Sequence, residues 1–295
     1  MEDARFYIGG KPAEAEPAHA YQHERWAAGP LEALEVYEQA GYDAVAITDH
    51  RTLTLAPDYR GEMLLLNGME WDVNLRRGGE TIHLLGIGVG VDFHYSRQEE
   101  NDAQGFIDAV EAGGGLSFFC HPHWSMNRVE TILGLRGLAG AEVFNSVSRP
   151  PQGVDRADAG FFLDVAASEG CLLPTIAVDD SHAYVHEIFG GFIYLNAGKD
   201  EKSILMALQA GAYYASRGPR ILSCDVDNGV VNVTTSPVRH ITFHSNLPWT
   251  PKRCVSGEAL TRASYQVCHD RGERFIRVVV IDEGGRKAWL NPFAV

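Results

Sequence analysis

The chain has 295 residues, of which 45% are hydrophobic, and a net charge of −14. That length suits one large domain or a large domain with a small one. The acidic balance excludes a protein that grips a phosphate backbone, which would be basic. No stretch is long and apolar enough to span a bilayer, and Met1-Glu2-Asp3-Ala4-Arg5 lacks the shape of a signal peptide. A cytoplasmic protein with no nucleic-acid or membrane partner is therefore expected. The five widely spaced cysteines, Cys120, Cys171, Cys224, Cys254 and Cys268, suit reduced thiols rather than a thiolate metal site.

In chain order, Pro30 to Ala40 predicts a helix, with Leu31, Leu34, Val36 and Tyr37 on one side, Pro30 near its start and Gly41 near its end. Ala44 to Ile47 and Met63 to Leu66 read as buried strands. Asn101 to Ala112 predicts a second helix and Leu116 to Phe119 the next strand. A third helix over Asp155 to Glu169, a strand over Ile176 to Val178 and a fourth helix over Glu201 to Ala210 follow. Strand–helix alternation of this kind argues for a parallel sheet or barrel. After Gly218-Pro219 the texture changes to short strands separated by turn signals such as Asp227-Asn228-Gly229 and Glu283-Gly284-Gly285. Val230 to Thr234, His240 to His244, Ser264 to Val267 and Phe275 to Ile281 read as strands of a small antiparallel β-sandwich. The expected division is residues 1–219 for the α/β part and 220–295 for the sandwich.

Five acidic and histidine clusters accompany the apolar runs: Thr48-Asp49-His50, Gly68-Met69-Glu70, His83 within Ile82 to Gly86, His121-Pro122-His123, and Asp179-Asp180-Ser181-His182. Barrel strands that deliver such side chains at their carboxyl ends assemble a site at one mouth. Oxygen and imidazole donors without thiolates suit Zn, Mn or Fe. There is no Gly-x-Ser-x-Gly elbow and no Lys-Ser/Thr after Gly113-Gly114-Gly115, so neither a serine hydrolase nor a phosphate loop is expected. Two residues stand out as catalytic candidates. His123, two beyond His121, could protonate a leaving group. Arg217, just before Gly218-Pro219, could clamp an anion.

The pattern resembles the PHP (polymerase and histidinol phosphatase) superfamily of metal-dependent hydrolases. Ile47-Thr48-Asp49-His50, Gly68-Met69-Glu70, Gly114-Gly115 leading to Cys120-His121-Pro122, Glu142-Val143-Phe144-Asn145 and Asp180-Ser181-His182-Ala183 follow its motifs in order. Tyr213 to Pro219 and a tail ending in Gly285 to Pro292 are similar to the CehA/McbA-like branch, as are His121 to Ser125 and Val178 to His182. The resemblance implies a distorted seven-stranded (βα)7 barrel with one to three divalent metals. It assigns His23, Glu70 and Asp180 to a first metal, and Glu70, His83 and His121 to a second. His50 and His182 go to a third. The first family motif is altered here: Tyr21, Glu24 and Ala28 stand where histidine, threonine and aspartate are expected, with only His23 and Gly29 kept. His19, Tyr21 or Glu24 could substitute, and the third position, lacking a carboxylate at Ala28, is expected to be the weakest. The expected function is a phosphoesterase that turns a metal-bound hydroxide on a small phosphate ester. The alternatives are a carbamate, ester or amide hydrolase on the same site, and a degenerate, non-catalytic member of the family.

Overall fold

A computed structural model describes residues 4–9, 29–56, 58–74, 79–95, 103–182 and 187–295. Strand β1 (Ala4–Gly9) is followed by helix α1 (Pro30–Gln39), which starts on its proline and packs Ala33, Leu34 and Tyr37 inward. Gly41, at φ +82°, then turns the chain into β2 (Ala44–Ile47), a conformation that glycine adopts without steric cost. Next come β3 (Leu64–Asn74), β4 (Thr81–Ile87), α2 (Ala103–Ala112), β5 (Leu116–Phe119), α3 (Val129–Leu133), β6 (Leu138–Asn145), α4 (Gly160–Ser168) and β7 (Thr175–Val178). The chain continues through β8 (Phe192–Leu195), α5 (Glu201–Gln209) and β9 (Tyr213–Ser216).

These strands form one curled sheet in the order β9-β8-β1-β2-β3-β4-β5-β6-β7, and the curl brings β7 beside β8, β9 and β1. It is not uniformly parallel. The first half of β3 runs parallel to β2, with Ala44 opposite Leu64. The second half pairs antiparallel with β4, from Gly68 opposite Ile87 to Asn74 opposite Thr81. Gly68 stands at the changeover, where a Cβ would lie 2.9 Å from the Thr48 side chain and 3.0 Å from the Gly86 carbonyl. Glu70 therefore sits inside a strand rather than just beyond one, as the Gly-Met-Glu sequence had suggested, because β4 extends the pairing that β2 no longer provides.

One face of the curl carries Ala44, Ala46, Leu66, Leu85, Ile87, Phe118, Ile176, Val178, Ile193 and Leu195, capped by Ile204, Ala207 and Leu208 of α5. Side chains alternate along a strand, so Glu70, after Leu66, and His83, before Leu85, project from this same face towards one end of the antiparallel β3–β4 pair. The other face is covered by α2, α3 and α4 through Phe106, Ile107, Ile132, Phe162 and Leu163.

The C-terminal strands are β10 (Ile221–Asp227), β11 (Val230–His244), β12 (Cys254–Gln266), β13 (Phe275–Ile281), β14 (Lys287–Trp289) and β15 (Phe293–Ala294). They form an antiparallel sheet with its own core of Val231, Ile241, Phe243, Tyr265, Val278 and Val280. The two expected strands Val230 to Thr234 and His240 to His244 are one long strand. Its register is irregular between Thr234 and Val238, around Pro237, and its first half pairs with β10 while its second half pairs with β13. The tail is hydrogen-bonded to the curled sheet, with β14 pairing to β9 through Ala288 opposite Ser216. Among the described residues no helix is long and apolar enough to cross a membrane.

A buried charge group ties the tail to α4. Arg277 of β13 is 1% exposed and places its guanidinium 2.7 Å from Asp164, while donating to the Gly160 carbonyl at 2.7 Å. Asp164 also meets His244 at 2.9 Å. Burial would raise the Asp164 carboxyl, but His244 and Arg277 outweigh it and hold it below its ordinary value. Removing one partner of such a group strands the other charge in a dry site. Arg277→Leu is expected to cost about 3 kcal/mol in urea unfolding, and the Asp164→Leu/Arg277→Leu double variant less than the sum of the two singles. A carboxyl depressed in the folded state stabilises above its unfolded pKa and loses that contribution as pH falls through the folded one. Acidification below about pH 4 should thus destabilise the wild type more steeply than Asp164→Asn, a difference read from unfolding midpoints across that range.

Candidate metal centre

The chain leaving β2 stays bonded to β3: Glu70 N–H donates to the Asp49 carbonyl at 3.1 Å and Arg51 N–H to the Glu70 carbonyl at 2.7 Å. This holds His50 beside Glu70. His83 arrives on the antiparallel β4, with its Nδ1 2.6 Å from Glu70 Oε1. His121 follows β5 at φ +21°, and its Nε2 lies 3.4 Å from the same oxygen. The imidazole centroids are 5.6 Å apart for His50 and His83 and 4.8 Å for His83 and His121. One buried carboxylate oxygen thus faces two buried imidazoles.

Two triads of potential ligands converge on Glu70. His50, Glu70 and His83 place donor atoms within 4.8 Å of one another, and so do Glu70, Cys120 and His121. The donor chemistry fits a divalent cation. His83 Nε2 is buried without a hydrogen-bond partner, an arrangement that costs free energy unless something accepts its lone pair or proton, while His50 Nδ1 has the Asp72 carboxylate at 3.6 Å. Cys120 is the weakest donor of the set. Burial, with Glu142, Glu70 and Asp180 nearby, pushes its thiol well above the ordinary range and keeps it protonated.

Asp180 enters from the end of β7 at φ +51° and accepts from Asn145 Nδ2 at 3.0 Å. Asn145 also donates to Glu142 Oε2 at 3.0 Å, and Glu142 accepts the His121 backbone N–H at 2.8 Å. Burial raises the Glu142 carboxyl to about 8. His182 turns its Nδ1 to the Asp180 carbonyl at 2.8 Å, and its ring lies 6.1 Å from that of His50. The neighbouring Asp179 braces this end of the sheet. Wholly buried, it accepts from Tyr37 Oη of α1 and from the backbone N–H groups of Phe189, Gly190 and Gly191. It thereby fixes the strand end from which Asp180 projects.

The electrostatics follow from crowding acids and imidazoles in a dry space. For Glu70, burial alone would raise the carboxyl, but His121 and His83 hold it well below the usual range. Asp72, two residues further along β3, raises His50 to about 9. Burial opposes protonation of His121, yet Glu70 and Glu142 bring it to about 9 as well. Asp72 is held low against its own burial by His50 and by Arg51, whose Nε donates to it at 2.7 Å.

Of the residues singled out from the sequence, His50, Glu70, His83 and His121 come together, with Asp180 and His182 beside them. His50 lies with Glu70 and His83, and its ring is also 6.1 Å from that of His182. His23 lies outside the described residues, as do His19, Tyr21, Glu24 and Ala28. The His123 ring lies 6.1 Å from that of Phe162 of α4. Arg217 is half-buried, with its guanidinium 4.3 Å from the Phe144 ring and Nε 3.3 Å from the Gly190 carbonyl. Glu142, Asn145 and Asp72 were not among the chosen residues. Asp72 was legible from period-two spacing after Glu70. Glu142 and Asn145 lie in the Glu142-Val143-Phe144-Asn145 motif noted in the sequence, which assigns them no role; the structure bonds them to His121 and Asp180.

No family model and no curated protein sequence matches the chain. Among solved structures it is similar to an amidohydrolase from Chromobacterium violaceum with bound sulfate and no metal, at 14% identity and a TM-score of 0.43, over 62% of this chain and 89% of that one. It is also similar to a protein from Bifidobacterium adolescentis provisionally described as a metal-dependent phosphoesterase, at 14% identity and a TM-score of 0.42, over 60% of this chain and 87% of that one. These likenesses are too slight to carry chemistry, which is read from the site's own residues.

Asn145 offers a test that removes no ligand. Partners that orient a ligating carboxylate are worth roughly 10–100-fold in metal affinity. Asn145→Ala is expected to weaken zinc binding by about that factor in a chelator-competition titration, with the protein still folded by circular dichroism.

Proposed function

We propose that this chain is a metal-dependent hydrolase of the PHP type and that its substrate is a small phosphate ester. In this reading the curled sheet corresponds to the distorted seven-stranded barrel, and the C-terminal strands to the β-sandwich that follows it. The observation that carries the proposal is the shared Glu70 carboxylate, on which two triads of buried donors converge. Glu70, His50, His83, His121, Asp180 and His182 would hold divalent cations, Zn, Mn or Fe, with His23 a further ligand. Bound there, the cations supply Lewis acidity and lower the pKa of a coordinated water.

The chain's own residues supply the rest. Glu142 and Asn145 orient His121 and Asp180. Ser125 Oγ, buried 2.9 Å from His121 Nδ1, serves in this reading to orient that imidazole, and water is the attacking group. His123 is the proposed proton donor to the leaving oxygen. The preference for phosphate rests on two arginines. The Arg149 and Arg217 guanidiniums lie 5.7 and 4.3 Å from the ring of Phe144, the residue before Asn145 in β6, and donate to Ser146 Oγ and to the Gly190 carbonyl. Burial and the neighbouring Arg149 charge lower the Arg217 pKa, against the opposing pull of Asp158 and Asp282. A second reading, hydrolysis of a neutral carbamate, ester or amide, is favoured by Trp124, which stands against His83 and His121.

Metal-reconstituted protein assayed on phosphomonoesters, phosphodiesters and aryl carbamates separates the two. Arg217→Ala and Arg149→Ala are each expected to lower kcat/KM for the phosphate ester by roughly 10–100-fold, the worth of hydrogen bonds to a charged group, and to leave a neutral ester unaffected. Turnover of carbamates alone would transfer the assignment to the second reading. No turnover of any of them with Mn, Zn or Fe would remove both.

A further inference from the structure

The segment joining β5 to α3 is held in a tight, strained turn. Ser125 N–H donates to the His121 carbonyl at 3.1 Å, Met126 N–H to His123 at 3.2 Å and Asn127 N–H to Pro122 at 2.9 Å. Side chains pin it further: Ser125 Oγ lies 2.9 Å from His121 Nδ1, and Asn127 Nδ2 donates to the Thr81 carbonyl at 2.7 Å. Both His121 and Met126 have positive φ, 21° and 55°, a conformation that side-chain-bearing residues adopt only when the surroundings enforce it.

This turn presents large apolar side chains to water at the rim of a polar site. Trp124 is 42% exposed and Met126 67% exposed. The Trp124 ring stands edge-on to His121, with centroids 4.9 Å apart, and 5.9 Å from His83. A flexible loop would fold such groups away, since exposing them is unfavourable. Here the hydrogen bonds that place His121 also prevent it. The same bonds therefore fix the distance between the imidazole pair and an open indole surface.

We propose that Trp124 is a specificity-determining wall: it packs against a flat, apolar ring on the alcohol side of the substrate while the scissile group reaches Glu70, His83 and His121. This rests on the hydrolase reading above and narrows its substrate class to esters of ring-bearing alcohols. The step is ordinary hydrolysis: water adds its oxygen to phosphorus, the bond from phosphorus to the ring-bearing oxygen breaks, and that oxygen leaves with a proton. Trp124 takes no part in those bonds and acts by contact area and ring stacking.

The test separates recognition from turnover. Binding of phenylphosphonate and of ethylphosphonate, neither of which can be hydrolysed in this way, is measured by calorimetry on the metal-loaded full chain. Kinetics follow on phenyl and ethyl phosphate. The wild type is expected to prefer the phenyl compound about fivefold to tenfold, Trp124→Ala to lose that preference, and Trp124→Phe to keep most of it. In kinetics the loss appears in KM for the phenyl ester, with kcat little changed and the ethyl ester unaffected. No ring preference in binding, including no binding of either phosphonate, or a preference that survives Trp124→Ala, overturns the wall. A Trp124-dependent preference without hydrolysis leaves the wall standing and removes the phosphoesterase reading. Hydrolysis without ring preference does the reverse.

Discussion

The structure turns on a carboxylate buried where it can only exist with company. Glu70 is out of water, and an ionised acid there carries a large desolvation penalty unless cations or donors meet it. His83 and His121 meet it from two other strands, and His50 is held beside it by backbone bonds to its own strand. Each neighbour is then constrained in turn. The changeover at Gly68 lets β3 pair with β2 on one stretch and β4 on the next, which is what lets His50 and His83 approach one carboxylate from opposite sides. Without a counter-charge the group would be among the costliest in the molecule. With one, it is a ready-made cation site.

The second shell explains why so many polar groups are buried around it. Asn145 spans Glu142 and Asp180, and Asp179 gathers a tyrosine hydroxyl and a run of backbone donors. Neither residue needs to touch a substrate. Their work is to hold strand ends in conformations that side-chain-bearing residues otherwise avoid, as Asp180 and His121 show. The tail is bonded to the curled sheet at β9. Arg217 leaves β9 where β14 pairs with it, and its backbone N–H donates to the Lys287 carbonyl at 2.9 Å. The C-terminal sheet thus helps to aim the arginine that the phosphate reading depends on.

Much of this was legible in the sequence. Ala44 to Ile47, Leu116 to Phe119 and the helix at Pro30 could be read from apolar runs and from proline and glycine punctuation, because local burial and capping decide those elements. The acids and histidines beside such runs could be placed at one end of the sheet for the same reason. What could not be read was set by partners distant in sequence. The antiparallel entry of β4, the continuation of β3 through Glu70, and the fusion of two expected strands into β11 all depend on which strand lies alongside. Glu142 and Asn145 stand in a motif that the sequence shows, but their bonds to His121 and Asp180 depend on neighbouring strands, as the approach of His50 to His83 depends on the antiparallel entry of β4.

The central claim is that the Glu70 cluster is a cation site of the folded protein. X-ray diffraction from crystals grown with zinc or manganese, with data collected on both sides of the metal's absorption edge, tests it most directly. The account predicts an anomalous peak within bonding distance of a Glu70 carboxylate oxygen and of imidazole nitrogens from His50, His83 or His121. Well-ordered crystals with no anomalous peak at Glu70, or with the metal bound only elsewhere, would contradict it.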